Sequence, residues 1–287
     1  MKFYIKSIIL LVFISLLSFS CSKEDDLQTD LVGLGGDTWV KGPIDNWLTT
    51  NYVDPFNIEV KYKFDRFELD QNKDLVPPLE GQVIPLMEVV KRVWIEPYTA
   101  QAGDLFIKKY APKQFVLVGS PSYNANGTIT LGTAEGGRKI VLYTVNSFES
   151  TAESEVKQQL HTIHHEFAHI LHQTINYPIE YKNITPGGYT STWFNYSNTQ
   201  ALSLGFITSY SRAAPDEDFV EMISTMLVEG RSGFNAMVAS APASAQPLLR
   251  LKEQIVVKYF KEAWNIDFYA LQTATHGAIE KVLKPQA

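Results

Sequence analysis

Cysteine is almost absent from this chain, which has one, Cys21, among 287 residues. A single cysteine excludes an internal disulfide framework and a zinc module ligated by several cysteines. Long basic runs are also missing, and 25 Lys and Arg stand against 31 Asp and Glu, for a formal net charge of −6. Nucleic acid is bound chiefly through clustered Lys and Arg, so we expect no nucleic-acid partner. Hydrophobic residues make up 45% of the chain, which is ample for a folded core.

The first 20 residues have the composition of an export signal. Lys2 and Lys6 give a positive start, and the apolar run at 8–17 suits a signal sequence but is too short to span a bilayer. The closing tetrapeptide Ser-Phe-Ser-Cys resembles the cleavage site of bacterial lipoproteins, in which the cysteine sulfur is lipidated. An ordinary secretory signal followed by an incidental cysteine is the alternative. We predict a signal peptide over 1–20 and a lipid anchor on Cys21 that holds the protein to a membrane.

The residues directly after Cys21 are acidic, with the sequence Ser-Lys-Glu-Asp-Asp. This stretch resembles the tag that sends some Gram-negative lipoproteins to the outer face of the outer membrane. A solvated linker is the alternative. The chain stays polar and glycine-bearing as far as Gly42, so we predict a tether over 21–42 and a surface-exposed outer-membrane protein.

Residues 43–287 are predicted to form one domain of the α+β class. Alternating apolar and charged residues at 58–64 predict a half-buried strand, and short apolar runs predict further strands at 115–119, 128–131 and 140–145. Pro43 can open a helix, and helical patterns follow Ser150 almost to the end, including two helices between 243 and 284. Strands therefore dominate the first half of the domain and helices the second.

The residues that carry chemistry are concentrated in the segment 161–172, which holds five of the six histidines. Within it runs the sequence His-Glu-Phe-Ala-His. On a helix the first and fifth residues share a face, so His165 and His169 can bind one metal ion. Glu166 can act as general base toward a water at that metal. Imidazole favours zinc, and a catalytic zinc has three protein ligands. The other three histidines are expected beside the site or at the surface: His161, His164 and His172.

The third metal ligand is predicted to come from a later helix that opens at Pro215. Proline suits the first helical position, and the acidic residues behind it suit the dipole of the first turn. Glu217 and Glu221 lie one turn apart on this helix, and apolar neighbours indicate that it is packed. A buried carboxylate is costly unless it is paired or binds a metal. Both carboxylates are therefore expected on one face of the helix.

These residues carry a family resemblance. The motif followed by a glutamate helix is the gluzincin arrangement of metallopeptidases. The second segment is similar to the catalytic domain of anthrax lethal factor, where a tyrosine precedes the ligand glutamate by seven residues and another glutamate follows it by four. Tyr210, Glu217 and Glu221 reproduce that spacing. With its signal and cleavage site, the chain resembles the substrate import-associated zinc metallohydrolase lipoproteins, which accompany outer-membrane nutrient uptake systems.

The resemblance implies a zincin-like fold that holds one zinc ion. The zinc ligands would be His165, His169 and Glu217. Glu166 would deprotonate the attacking water and then protonate the leaving group. Tyr210 would donate its hydroxyl to the developing oxyanion. Glu221 would hold a ligand histidine or the helix itself.

The resemblance also implies a substrate and partners. The substrate would be a peptide or protein, paired with an edge strand at 140–145 or, alternatively, at 128–131. A nutrient uptake complex in the outer membrane would be the partner. A non-catalytic lipoprotein that binds substrate for such a system is the alternative function. Glu166 argues against that alternative, because pure binding does not require a carboxylate beside the metal water.

Overall fold

The computed structural model of the protein describes residues 39–284. The predicted signal peptide, Cys21 and most of the predicted tether lie outside the described residues. One compact unit begins at Lys41 and contains every element discussed below.

A four-stranded mixed sheet forms the first layer of this unit. Its strands are β1 (Glu59–Lys61), β2 (Gln114–Leu117), β5 (Gly132–Glu135) and β6 (Lys139–Leu142), in the order β1-β2-β6-β5. The pairs β1–β2 and β2–β6 are parallel, whereas β5 runs antiparallel to β6. A separate antiparallel ribbon joins β3 (Ser122–Tyr123) to β4 (Ile129–Thr130). The four predicted strands are confirmed, each shorter than its apolar pattern.

Strand β5 is an edge of this sheet. Of the two predicted edge strands, the one at 140–145 is wrong, whereas the one at 128–131 is an edge strand of the ribbon. The strand predicted at 140–145 is β6, which lies between β2 and β5 and has both edges paired. The strand predicted at 128–131 is β4, which belongs to the ribbon. The sequence of β5, Gly-Thr-Ala-Glu, has no apolar alternation, so its pattern gave no sign of a strand. It is a strand because the tight turn after it lets it pair antiparallel with β6.

Helices make up most of the described chain, and the predicted helix starts at Pro43 and Pro215 are confirmed. Two stretches of π-helix, Thr49–Val53 and Lys91–Ile95, continue α1 and α2 without a break, the first into the short helical turn Asp54–Phe56. The helices are α1 (Pro43–Leu48), α2 (Glu80–Val90), α3 (Glu96–Ala102), α4 (Asp104–Tyr110), α5 (Glu153–Thr174), α6 (Asn198–Ser203), α7 (Pro215–Ser240), α8 (Gln246–Trp264) and α9 (Phe268–Leu283).

Helix α5 crosses beneath β5 and β6 and packs against α7 on its other side. Phe167 anchors its apolar face, since its ring meets Trp94 and Tyr98 edge-on, each with a centroid separation of 5.1 Å. Such aromatic pairs add about 0.5–1.5 kcal/mol each beyond the area they bury. This anchoring turns the histidine-bearing face of α5 toward the start of α7.

Candidate metal centre

Three side chains from α5 and α7 converge on one point. Nε2 of His165 lies 3.2 Å from Nε2 of His169, one helical turn further along α5. Oε2 of Glu217, in the first turn of α7, lies 3.1 Å from the first nitrogen and 3.4 Å from the second. The structure thus brings together the three residues that the resemblance assigned to zinc.

The spacing of these three atoms fits a tetrahedral zinc site. Zinc bonds of about 2.0–2.1 Å at tetrahedral angles separate neighbouring donor atoms by about 3.3 Å. Oε2 of Glu217 is buried and accepts no hydrogen bond, although two ring nitrogens lie within 3.4 Å of it. Two imidazole nitrogens and a carboxylate oxygen that converge at this spacing are donors that a cation requires. The residues present therefore fit a zinc ion.

Glu221 supports this site from behind. Its Oε1 lies 2.8 Å from Nδ1 of His165 and 2.8 Å from Nε2 of His161, and its Oε2 accepts a hydrogen bond of 2.6 Å from the hydroxyl of Thr208. His161, His165 and Glu221 also lie close enough to hold a metal. However, 2.8 Å is the length of a charge-assisted hydrogen bond and is short for two donors on one zinc. Glu221 therefore orients His165 and leaves Nε2 free for the metal.

Electrostatics in this group favour ionised carboxylates. Burial raises the pKa of Glu221, but His161 and His165 outweigh it and hold that pKa well below its usual value. Burial lowers the pKa of His165, and the carboxylates of Glu217 and Glu221 reverse this, raising it to about 10 in the metal-free site. A metal ion entering the site must therefore displace a proton from His165.

Glu166 lies on the sheet side of the site, under β5. Burial is the main cause that raises the pKa of its carboxyl group, and a backbone hydrogen bond from Ala134 opposes it. The strand approaches the helix closely here, since a Cβ added at Gly132 would lie 2.3 Å from the methyl carbon of Thr162. Only glycine fits at this position without displacing the strand. A base of raised pKa is suited to taking up and returning a proton near neutral pH.

Tyr210 stands on the opposite side of the site, in the 3-10 turn Tyr210–Arg212 that precedes α7. Its ring stacks beside that of His165, with centroids 5.7 Å apart. Burial, followed by the charge of Glu217, raises the pKa of its hydroxyl, which therefore keeps its proton at neutral pH. The resemblance assigned this tyrosine as an oxyanion donor, and the structure puts its proton-bearing hydroxyl group at the site.

The loop over residues 186–196, here called the Trp193 loop, forms one wall of a cavity of about 340 Å³ beside the site. Trp193 packs edge-on against Tyr210 at 4.8 Å. Arg212 fastens the loop: its Nε donates to the carbonyl of Gly188 at 2.9 Å, and its guanidinium lies 4.1 Å from the ring of Tyr196. The opposite wall consists of Asn124, strand β4 with its flanking residues, and the start of β5.

The other histidines of α5 have distinct roles. Nε2 of His172 lies 3.0 Å from Nδ1 of His169, so it holds the second ligand as Glu221 holds the first. His161 binds Glu221 and lines the cavity. His164 is fully buried with both ring nitrogens unpaired, and burial lowers its pKa to about 3, so it is a neutral core residue.

A buried ion pair fixes the first turn of α7. Nζ of Lys252, on α8, lies 2.6 Å from Oδ2 of Asp218, and both side chains are 0% exposed. The same carboxylate oxygen accepts a hydrogen bond of 3.0 Å from the hydroxyl of Tyr189. Burial raises the pKa of Asp218 to about 6 and lowers that of Lys252. The pair joins α8, α7 and the Trp193 loop directly beside Glu217.

Sequence reasoning missed three parts of this site. Thr208 lies outside every motif, and only the fold brings it to Glu221. The sequence indicated that His172 is not a metal ligand. It did not predict the contact of His172 with His169, because that contact depends on side-chain direction. Strand β5 carries no apolar pattern; its one signal was Gly132, whose lack of a side chain permits a close approach.

Two comparisons with known proteins find relatives that are described as zinc-binding. The family model described as "Putative zinc-binding metallo-peptidase" matches residues 37–269. A crystal structure titled as a "putative zinc-binding metallo-peptidase" from Bacteroides caccae ATCC 43185 is similar, with a TM-score of 0.71 and 35% sequence identity. The similarity covers 83% of this chain and 92% of that one. No curated protein matches the chain.

The fold is a mixed sheet packed on a helix that carries two zinc-compatible histidines. This combination defines the class of the protein as a zinc-binding α+β protein. More specifically, the chain belongs to the zinc-binding metallo-peptidase family whose model spans residues 37–269.

Proposed function

We propose that this protein is a zinc-dependent peptidase that hydrolyses a peptide bond in an extended substrate. The observation that carries the proposal is the convergence of His165, His169 and Glu217 within 3.4 Å of one another, beside a buried glutamate and a protonated tyrosine. One zinc ion held there would polarise the substrate carbonyl and lower the pKa of a water molecule.

The chain's own residues supply the proton transfers. Glu166 accepts the proton of the attacking water and passes it to the leaving amine, for which its raised pKa is suited. The hydroxyl of Tyr210 donates a hydrogen bond to the carbonyl oxygen as negative charge develops there. Glu221 and His172 hold the two histidines in place, so little reorganisation is needed during the reaction.

Substrate binding is proposed along β5. This strand is paired with β6 on one side, its other edge is unpaired within residues 39–284, and it passes directly over Glu166. An extended peptide can add to such an edge through main-chain hydrogen bonds. The cavity between the ribbon and the Trp193 loop would then receive a side chain next to the scissile bond.

Glu166 separates a peptidase from a lipoprotein that only binds substrate. We expect Glu166→Gln to bind zinc as the wild type does and to lose hydrolysis of a mixed peptide library by about 10²–10⁴-fold. Glu155→Gln makes the same chemical change on the same helix, away from the site, and serves as the control. Equal hydrolysis by the Glu166→Gln variant and the wild type would rule out this mechanism. Zinc binding without hydrolysis in the wild type would favour the binding lipoprotein.

We further propose that the peptidase is anchored by lipid on Cys21 to the outer face of the outer membrane, where it serves a nutrient uptake complex. The support is the signal-like start of the chain and the acidic residues after Cys21. No helix within residues 39–284 is long and apolar enough to cross a membrane.

Cys21→Ala should release or misprocess the protein. External protease should remove the wild type from intact cells, and protection until the outer membrane is ruptured would contradict a surface location.

A further inference from the structure

A second cavity, of about 480 Å³, lies at the turn end of β5 and is separate from the one beside the metal site. The turn between β5 and β6 forms one side of it, the C-terminal end of α5 another, and the end of α4 with the residues that follow it the third. This cavity is called the basic pocket below. Its lining includes Lys109, Lys113, Gly137, Arg138, Ile170 and Gln173.

The basic pocket concentrates positive charge that nothing in its lining neutralises. Lys109, Lys113 and Arg138 line it, and no Asp or Glu does. Glu135, beside the turn, is held by Lys139 at 2.8 Å. The amine of Lys113 donates to the backbone carbonyl of Lys108 at 2.6 Å, which leaves its charge unpaired. In a chain with a net charge of −6, three such cations around one cavity create a local field that attracts an anion.

The basic pocket lies a short distance along the proposed substrate path. Ile170 directly follows the ligand His169, and Gln173 is seven residues beyond Glu166, about 10 Å along the helix at about 1.5 Å per residue. Strand β5 ends at Glu135, one residue beyond Ala134, and the turn that follows it, which includes Gly137, lines the pocket. The helix spacing of about 10 Å between the general base and Gln173 equals about three residues of extended chain.

Pairing direction decides which flank of the substrate reaches the pocket. Antiparallel pairing is the more stable arrangement, and β5 already pairs with β6 in that way. A substrate antiparallel to β5 runs from Glu135 back toward Gly132. Its residues before the scissile bond therefore point toward the turn and the basic pocket.

We propose that the basic pocket binds a carboxylate side chain of the substrate, about two to four residues on the N-terminal side of the scissile bond. The protein would thus select polypeptides with Asp or Glu in that stretch. This inference rests on the proposed function for the position of the scissile bond, while the binding of the carboxylate itself does not require hydrolysis.

The test measures binding by fluorescence anisotropy on the Glu166→Gln protein, so that no peptide is consumed. Three labelled twelve-residue peptides share one uncharged sequence and carry a Glu pair near the N-terminus, a Glu pair near the C-terminus, or a Gln pair near the N-terminus. We expect the N-terminal Glu peptide to bind about tenfold more tightly than the other two at low salt, with the difference shrinking as salt rises.

Charge reversal at the two most exposed cations of the pocket should remove this preference. Lys109→Glu/Arg138→Glu is the test variant, and Lys109→Ala/Arg138→Ala is the milder version. Lys258→Glu/Lys281→Glu changes the net charge by the same amount at exposed positions on α8 and α9, and should retain the preference. Inorganic phosphate should compete with the N-terminal Glu peptide, because the pocket recognises an anion.

Several outcomes would overturn the proposal. Equal binding of the Glu and Gln peptides would show that the pocket does not bind a substrate carboxylate. Tighter binding of the C-terminal Glu peptide would show that the substrate runs in the opposite direction along β5. Phosphate binding without any discrimination between peptides would indicate a site for a free anion. Cleavage of the same peptides by wild type is measured separately. If the peptides are not cleaved but the N-terminal Glu peptide still binds more tightly, the proposed hydrolysis is wrong and the proposed pocket stands. If the peptides are cleaved but no Glu peptide is preferred, the hydrolysis stands and the pocket is wrong.

Discussion

Oε1 of Glu221 lies 2.8 Å from Nδ1 of His165, while Nε2 of the same ring faces Glu217 at 3.1 Å. One carboxylate of α7 thus holds the imidazole, and another stands beside the nitrogen that the metal would use. The two glutamates are one helical turn apart, so a register shift of α7 would disturb both contacts together. The relationship makes their roles separable by mutation.

Glu217→Ala should weaken zinc binding far more than Glu221→Ala. The first change removes a metal ligand, and we expect a loss beyond about a hundredfold, whereas loss of an orienting partner costs about 10–100-fold. Competition with a calibrated zinc chelator measures both affinities. Glu229→Ala, further along α7, is the control. If Glu221→Ala loses the metal while Glu217→Ala keeps it, the assignment is reversed.

Tyr210→Phe should keep zinc and lower the rate of peptide hydrolysis by about 10²–10³-fold, as expected for removal of one oxyanion donor. The phenyl ring preserves the packing on Trp193 and His165, so the folded structure should not change. The loss should fall on kcat more than on KM, because the hydroxyl acts in the transition state. Tyr123→Phe, on the exposed ribbon, is the control. Unchanged kcat in Tyr210→Phe would remove this residue from the mechanism.

Breaking the buried pair of Asp218 and Lys252 should destabilise the fold strongly. Removal of one partner leaves the other charge buried and unpaired, which costs about 3–5 kcal/mol. Asp218→Leu and Lys252→Met should each lower the free energy of unfolding by that amount, measured by urea denaturation. The double variant should lose much less than the sum, because neither charge then remains. Additive losses would mean that the two side chains are not coupled.

The sequence predicted those parts of the site that follow from helix periodicity. The i, i+4 spacing put His165 and His169 on one face, and Pro215 fixed where α7 begins, which set the register of Glu217 and Glu221. The two C-terminal helices were equally predictable from their apolar faces.

The remainder depends on tertiary contacts that no local pattern encodes. Strand β5 has a sequence with little β-propensity, and pairing with β6 outweighs it. Thr208 reaches Glu221 only because the chain before α7 folds back against that helix. The lining of the basic pocket comes from three separate segments. In the sequence, the charged residues of these segments look like ordinary solvent-exposed residues.

Zinc stoichiometry of the purified protein tests the central claim most directly. Elemental analysis of the wild type after removal of loosely held metal should give one zinc per chain, and the His165→Ala/His169→Ala double variant should give almost none. A single remaining carboxylate cannot hold the ion at the concentrations used. The variant His276→Ala, which removes an imidazole outside this group of side chains, should still hold one zinc. Stoichiometric zinc in the His165→Ala/His169→Ala protein would contradict the site.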